Sequence, residues 1–342
     1  MPHDLRDLGE LPGVSYVMPV LNEAAHVEAA VASLLAQDYR GPAEVVLALG
    51  PSTDDTDEVV ARLAASDARI VSVRNPDGST PAGLNRAIRA SSNPVVVRVD
   101  AHSILPPDYT RLAVETLRRT GADNVGGVMD ARGETPFERA VAFAYGSRVG
   151  LGGTRHHTGG KEGPAETVYL GVFRRDSLEA AGLFDEGFKR GQDWELNRRL
   201  RTRGGTVWFT PQLRVGYRPR ASVVDLARQF FSTGVWRGEL ARRFPANNGV
   251  RYWVPPVVVV LVVLGLVAGA LAGLSPWLLL GLIVPAGYLL VVLASTLLAR
   301  DRGLRTMAWL VVVLPVIHFC WGTGFILGFL KLTRNLAEFT GR

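Results

Sequence analysis

The sequence predicts an α/β domain with a mostly parallel central sheet, followed by an all-α transmembrane domain. Three observations carry that reading. Short apolar runs alternate with helical periodicity through the first hundred residues, a polar cluster closes each run, and the chain from Val254 to Leu330 is almost uninterruptedly apolar. The 342 residues hold charge in 20% of positions, nearly all of it before that apolar stretch, so a soluble domain precedes a membrane domain.

Val14 to Leu21 is a buried-strand candidate that ends in Asn22-Glu23, and Ala24 to Gln37 follows with Val27, Val31, Leu34 and Leu35 on one helical face. Glu44 to Leu49 is a second strand. The turn Gly50 to Asp55 can cap a helix over Thr56 to Ala65. Ile70 to Arg74 is a third strand, Ser79 to Ala90 contains a helix, and Pro94 to Val99 is a fourth strand ending on Asp100. Strands that alternate with helices form a parallel sheet covered on both faces, and ligands bind beyond the carboxyl ends of its strands. Polar residues collect at those ends: Asn22 and Glu23, Ser52 to Asp55, Asn75 to Asp77, and Asp100-Ala101-His102. The four clusters read as one site.

Asp100 and His102 place a carboxylate and an imidazole two residues apart just past a strand, where both can turn toward a divalent cation that bridges a diphosphate. An Asx-turn beside a surface histidine is the plainer account of the same pair. A second cluster runs from Phe184-Asp185-Glu186 through Gly191 to Leu196 and into an arginine-rich helix. A carboxylate at a loop-to-helix junction suits a general base that takes a hydroxyl proton. Asp193 as a helix cap and Glu195 as an i,i+4 partner of Arg199 are the local alternatives. Residues 146–167 form a glycine-rich polar loop that could close over a ligand, with His156, His157 and Lys161 available to phosphate; a surface loop is the alternative.

Val254 to Leu274, Pro276 to Ala299 and Met307 to Leu330 are each long enough to cross a hydrocarbon core, which takes about 20 apolar residues. Gly265, Gly269 and Gly273 form a small-residue stripe expected to pack against a neighbouring helix. Three arginines in the link Ala299 to Thr306 place it, and with it the catalytic domain, in the cytoplasm. Lys331, Arg334 and Arg342 then fall on the other side unless one segment re-enters. Pro285 and Pro315 are candidate helix breaks, and His318 is expected either to bond between helices or to meet a lipid phosphate. The formal charge of +6 is bunched as arginine ahead of the first apolar run. That pattern suits anionic lipid or phosphate, and nucleic acid is set aside as a partner. Cys320 is the only cysteine, which excludes a disulfide framework and a cysteine zinc cluster. The polar N-terminus lacks the apolar core of a secretory signal.

Over Val14 to Arg237 the sequence resembles the family-2 inverting glycosyltransferases of GT-A fold. The matching pieces are Pro19-x-x-Asn22-Glu23, Ser52-Thr53-Asp54-x-Thr56, Gly83-x-Asn85-x-x-Ile88, Asp100-x-His102 in place of a DxD motif, Gly182-Leu183-Phe184-Asp185-Glu186, and Gln192-Asp193 in place of Glu-Asp. Asp-Ala-His, the Gln229 to Arg237 stretch and the C-terminal membrane helices are similar to a succinoglycan-type, ExoA-like branch of that family. The resemblance implies a GT-A nucleotide-sugar-binding domain that moves a hexose from a UDP-sugar to a lipid-linked saccharide in polysaccharide or glycolipid synthesis at the plasma membrane. It further implies that Asp100 and His102 hold Mn2+ or Mg2+, and that Pro19, Asn22, Glu23, Ser52, Asn85 and Asp100 contact the donor. Asp193 would be the general base, with Gln192, Trp194, Gln229, Trp236 and Arg237 meeting the acceptor or a phosphate. One departure stands out: the aspartate the family carries after the second strand is missing, and no carboxylate follows Leu49 before Asp54. Transfer to polyprenyl phosphate and a non-catalytic, nucleotide-binding membrane scaffold are the alternative readings. The expected organisation is a polar segment at 1–12, the glycosyltransferase domain at 13–237, a basic juxtamembrane segment at 238–253, about three membrane helices at 254–330 and a tail at 331–342.

Overall fold

The computed structural model describes residues 11–245 and 249–333. Most of the expected segments 1–12 and 331–342, with Arg334 and Arg342, lies outside the described residues. Along the chain the elements are β1 (Val14–Val20), α1 (Val27–Leu35), β2 (Ala43–Leu49), α2 (Thr56–Ser66), β3 (Ile70–Arg74), α3 (Thr80–Ala90), β4 (Val95–Arg98), α4 (Tyr109–Thr120) and β5 (Asn124–Ala131). There follow α5 (Pro136–Gly146), the one-turn helices α6 (Arg148–Leu151) and α7 (Arg155–Thr158), β6 (Gly163–Pro164), β7 (Tyr169–Arg174), α8 (Arg175–Ala180), α9 (Gln192–Thr202) and β8 (Val207–Tyr217). The last helices are α10 (Val223–Arg243), α11 (Val254–Ala270), α12 (Ile283–Leu297) and α13 (Leu304–Phe329). They divide into two units, one formed by the chain up to Asp130 with Arg155–Tyr217, the other by Ala131–Thr154 and the chain from Arg218 onward.

The first unit is built on a mixed eight-stranded sheet in the order β3-β2-β1-β4-β7-β5-β8-β6. The half read from the alternating pattern is parallel: β1 pairs with β2 and β4, and β2 with β3. The other half brings antiparallel pairs, β4 with β7, β5 with β7 and β6 with β8. Because side chains alternate across a strand, β1 feeds two cores at once. Tyr16, Met18 and Val20 join α1, α2 and α4 on one face, while Val17 joins Val46, Val96, α3 and α9 on the other. This double covering leaves the carboxyl ends of β1, β2 and β4 as the open edge of the parallel half.

The expected loop at 146–167 is not structureless. It contains α6, α7 and β6, and Glu162 ties it down by accepting from Trp208 Nε1 at 2.8 Å and pairing with Arg119. Burial pushes the His157 imidazole well below its ordinary pKa, with the neighbouring His156 adding to the effect, so His157 is a poor phosphate partner near neutral pH.

In the second unit α10 lies along α13 on interlocking glycines. A Cβ at Gly234 or Gly238 would strike the backbone of Trp321 or Phe325, and one at Gly324 or Gly328 that of Phe231 or Val235. Such glycines let helix backbones approach closely. Phe137 of α5 meets Trp309 of α13 edge to face with centroids 5.1 Å apart, and Tyr145 meets Phe230 in the same way at 5.8 Å. The expected domain limit at 237 therefore falls inside α10, whose apolar face is committed to α13 over its length.

Three helical stretches, Val250–Ala270, Pro276–Leu297 and Leu304–Phe329, are long and apolar enough to cross a membrane. The second is not one α-helix: Pro276–Leu282 is a 3-10 turn run and α12 begins at Ile283, just ahead of Pro285, as the missing proline N–H requires. Pro315 by contrast is carried inside α13 without ending it. Gly265 and Gly269 pack against Gly281, Leu282 and Pro285 as the stripe predicted, whereas Gly273 meets nothing within 4 Å. His318 does bond between helices. Its Nε2 lies 2.7 Å from the Val149 carbonyl, which only accepts, so Nε2 carries the proton and Nδ1 accepts from Tyr288 Oη at 3.0 Å.

Candidate active site

The loops after β1 and β2 are fastened together by side chains bonded to backbone. Asn22 stands at φ 54°, a left-handed conformation that asparagine tolerates. Its N–H donates to Ser52 Oγ at 3.1 Å, and its Oδ1 accepts from the Thr53 N–H at 2.7 Å. The Glu23 N–H donates to Thr56 Oγ1 at 2.8 Å, and Ala24 to Asp54 Oδ2 at 3.2 Å. Thr56 Oγ1 in turn donates to Asp54 Oδ1 at 2.5 Å. Asn22 and Ser52 thus hold the loops after β1 and β2 in register. Asp54, the first carboxylate after β2, is engaged with the backbone and the Thr56 hydroxyl of this latch.

Glu23 turns its carboxylate to the third cluster, where Oε1 lies 3.1 Å from His102 Nδ1. The Glu23 side chain is 10% exposed and the His102 ring 44%, so the carboxylate is the buried anchor and the imidazole its exposed partner. A carboxylate on one ring nitrogen orients the other for a ligand. Asp100 leaves the end of β4 beside it. Among the described residues no group of three or more His, Cys, Asp or Glu is placed to hold a metal ion. One carboxylate and one oriented imidazole nevertheless fit a hard cation that takes the rest of its shell from diphosphate oxygens and water. Asp100 and His102 fit a shared cation and do not by themselves form a closed metal cage.

Arg98, the last residue of β4, joins this cluster to the second one. Its Nη2 donates to Asp100 Oδ1 at 2.9 Å, and its Nη1 pairs with Asp193 Oδ2. Asp193 is in the first turn of α9, one residue past Gln192; the N-cap is Gly191 in the left-handed region, so Asp193 is not the cap. A third of its side chain (34%) remains exposed, so the carboxylate is reachable at the rim of the site. Protein crowded around it still raises its pKa above the usual aspartate range by desolvation; Arg98 opposes that rise and Asp100 adds to it. Glu195 does pair with Arg199 as the spacing suggested, at 2.7 Å, and Arg199 Nη2 donates to the Leu183 carbonyl at 2.6 Å. The helix that presents Asp193 is thereby fixed to the Gly182-Leu183 turn, where Leu183 is at φ 60°.

Four expected site residues find other surroundings. Asn85 is 2% exposed and spends both ends of its amide on the 184–186 turn. Its Nδ2 donates to the Phe184 carbonyl and Glu186 Oε1, each at 2.8 Å, and its Oδ1 accepts from the Phe184 N–H at 2.9 Å. A side chain so used braces the 184–186 turn, which accounts for its burial. Pro19 is buried within β1, where a Cβ at Gly83 of α3 would come within 3.0 Å of it. It is a packing residue. Gln192 and Trp194 turn into the protein, 8% and 7% exposed, with little surface to offer an acceptor.

The remaining expected residues are in the second unit, on α10. Gln229 Oε1 accepts from Arg220 Nε at 3.2 Å, Trp236 is buried, and the Arg237 guanidinium lies 3.5 Å above the Tyr252 ring. That cation–π contact holds the Arg237 charge at the foot of the first apolar span. Arg98 was passed over in the sequence, although a charge closing the run Val95-Val96-Val97 had to find carboxylates if the strand was buried.

The family model described as Glycosyl transferase family 2 matches residues 15–182. The chain is 34% identical to the succinoglycan biosynthesis protein ExoA of Rhizobium meliloti (strain 1021), over 94% of this chain and 96% of that protein. It is 23% identical, over 93% and 96%, to a dolichyl N-acetyl-alpha-D-glucosaminyl phosphate 3-beta-D-2,3-diacetamido-2,3-dideoxy-beta-D-glucuronosyltransferase of Methanococcus voltae. Among solved structures, the mannosyltransferase PcManGT from Pyrobaculum calidifontis, in complex with GDP-Man and Mn2+, superposes with a TM-score of 0.54 over 96% of this chain and 88% of its own, at 21% identity. With a mixed α/β sheet of GT-A type, a carboxylate-rich edge beyond its parallel strands and an ExoA relative matched along nearly its whole length, this chain belongs to glycosyl transferase family 2.

Proposed function

We propose that this glycosyltransferase moves a hexose from a nucleoside-diphosphate sugar, UDP-hexose by the family's habit, to a lipid-linked saccharide at the cytoplasmic face of the plasma membrane. The observation that carries the reading is the pairing of Arg98 with both Asp100 and Asp193, which unites the donor-side and acceptor-side carboxylates in one site. Asp193 takes the proton from the acceptor hydroxyl as its oxygen attacks the anomeric carbon, and the bond from that carbon to the diphosphate oxygen breaks with inversion. Its raised pKa suits this role, because a base closer to the working pH accepts a proton more readily. Asp100 and His102 would hold a divalent cation, which when bound supplies charge stabilisation to the departing diphosphate. Glu23 keeps His102 oriented, and the Asn22-Ser52 latch keeps the donor edge in shape.

The lipid-linked acceptor is supported by the three apolar helical stretches and by the dolichyl-linked acceptor in the name of the Methanococcus voltae relative. Arginines in the Ala299 to Thr306 link support a cytoplasmic catalytic domain.

The test is nucleotide release by detergent-purified protein from UDP-, GDP- and dTDP-sugars with Mn2+ or Mg2+. A membrane lipid extract serves as acceptor, with bare polyprenyl phosphate and a diphosphate-linked saccharide compared separately. Release with one donor that needs the cation and vanishes in Asp193→Asn and Asp100→Ala supports the proposal. Equal release from wild type and both variants would sink it. Turnover on bare polyprenyl phosphate alone would reassign the acceptor.

A further inference from the structure

Arg98 is the only charged residue of β4 and is 6% exposed, so its guanidinium is out of water and must be compensated by protein. Two separate segments supply that compensation, Asp100 from the loop after β4 and Asp193 from the first turn of α9, one on each terminal nitrogen. The planar fork of arginine is what allows two carboxylates to be held at a fixed spacing. Asp100 is also the carboxylate that would meet a divalent cation. It cannot give full strength to both positive partners.

We propose that Arg98 is a positioning residue that competes with the divalent cation for Asp100 while holding Asp193 in place, and so couples cation loading to the alignment of the base. The inference rests on the reading of Asp100 as cation ligand and Asp193 as base. Before loading, the guanidinium is shared between two carboxylates. A cation arriving on Asp100 withdraws that carboxylate's charge and repels the nearby guanidinium, which leaves Asp193 as its remaining partner. The base is then gripped most firmly when the donor site is loaded, and less firmly when it is empty.

The arrangement makes affinity and turnover respond with opposite signs to one substitution. Arg98→Met keeps the length and removes the charge. Mn2+ alone, read from loss of the free hexaaquo EPR signal on adding full-length protein in detergent, should then bind about tenfold more tightly, because its competitor and a like charge are gone. The kcat should fall by at least about tenfold, with the KM for donor changed far less, because Asp193 has lost its orienting partner. Arg98→Lys keeps the charge and loses the fork, so Mn2+ affinity should stay within about threefold of wild type while kcat is only partly restored.

Mn2+ affinity that is unchanged or weaker in Arg98→Met overturns the competition, as does equal tightening in Arg98→Lys, which also serves if the methionine variant does not fold. A purely structural arginine would lower affinity and turnover together. Asp100→Ala separates this proposal from the reading beneath it. If that variant binds Mn2+ as wild type does, Asp100 is no cation ligand and the underlying assignment has failed. If it loses Mn2+ while Arg98→Met gains none, the competition alone is wrong.

Discussion

Gly328 and Gly287 offer the same substitution with opposite expected signs, one in α13 and one in α12. A Cβ at Gly328 would lie 2.8 Å from the Val235 carbonyl carbon and 3.0 Å from its Cα, where ordinary contact begins at 3.4 Å. The shortfall is about half an ångström at these two carbons and larger at the Val235 carbonyl oxygen, all of it against backbone, so α10 and α13 must separate. Overpacking of this kind costs about 1–3 kcal/mol, and with backbone on the far side the upper end applies. Alanine recovers about 1 kcal/mol of helix propensity, for a net loss of about 2 kcal/mol in Gly328→Ala. Gly287 meets nothing within 4 Å, so Gly287→Ala keeps that gain of about 1 kcal/mol whole. At about 2–4 °C per kcal/mol for a unit of this size, the midpoints should move down by about 4–8 °C and up by about 2–4 °C. The assay is thermal unfolding in detergent at one fixed scan rate, since unfolding of membrane proteins is seldom reversible. If Gly328→Ala melts at or above wild type, the close approach of α10 to α13 is wrong, and the glycine-mediated packing with it.

Asn85→Asp removes both amide N–H donors to the 184–186 turn and puts a carboxylate beside Glu186 and the Phe184 carbonyl. It should destabilise the first unit by about 2–3 kcal/mol, read as a lowered midpoint, while nucleotide affinity of the folded fraction stays within about threefold. Loss of nucleotide binding without loss of stability would return Asn85 to the donor site. Glu138 is held below the ordinary glutamate pKa first by the Thr135 N–H, with burial opposing and the Glu134 N–H and Arg218 adding to the depression. A depressed folded-state pKa contributes stability that is complete above the unfolded value of about 4.3 and disappears as pH falls through the folded one. The midpoint of wild type should therefore exceed that of Glu138→Gln near pH 7 and converge on it below pH ~4; a constant gap would contradict the linkage. For Asp193 the shift is upward, so kcat/KM should show an acid limb that falls away at a pH above the usual aspartate value, as protonation removes the base. An acid limb that persists in a catalytically residual Asp193→Asn would assign that titration elsewhere. His102→Gln keeps a polar tip but no strong metal donor and should raise the Mn2+ requirement about tenfold or more, read as the activation constant, whereas an unchanged requirement removes His102 from the cation site.

The parallel half of the sheet was legible because each of its strands is a short apolar run closed by polar residues. Ile70–Arg74 matches its expected limits, and the others differ by a residue or two. The antiparallel half was not, since β6 is two residues long and β7 and β8 pair with strands distant in sequence. Periodicity carries no information about such partners. The site residues were found as types and positions, but their directions were not. Asn85 and Pro19 lie among motif residues, yet one is wholly occupied by a neighbouring turn and the other is packed beneath a helix. The glycine stripe read in α11 was visible because it is embedded in apolar sequence. The pair at Gly234 and Gly238 escaped notice among the charges of α10, although its interlock with α13 is the longer one.

That interlock bears on how the protein can be handled. The helical second unit is not a module appended after the first, because it also contains Ala131–Thr154, drawn from the middle of the sequence that builds the sheet. A fragment ended after Arg243 to obtain soluble enzyme would keep α5 and α10 but discard α13, the helix on which both rest. Phe137 and the small-residue faces at Gly234 and Gly238 would then be bared to water. Such a fragment should aggregate or need detergent despite having no spanning segment, so insolubility on truncation would be no evidence of a misfolded catalytic sheet. Protein that keeps α13, held in a bilayer mimetic, is the form in which the helix carrying Gln229 and Arg237 retains its support.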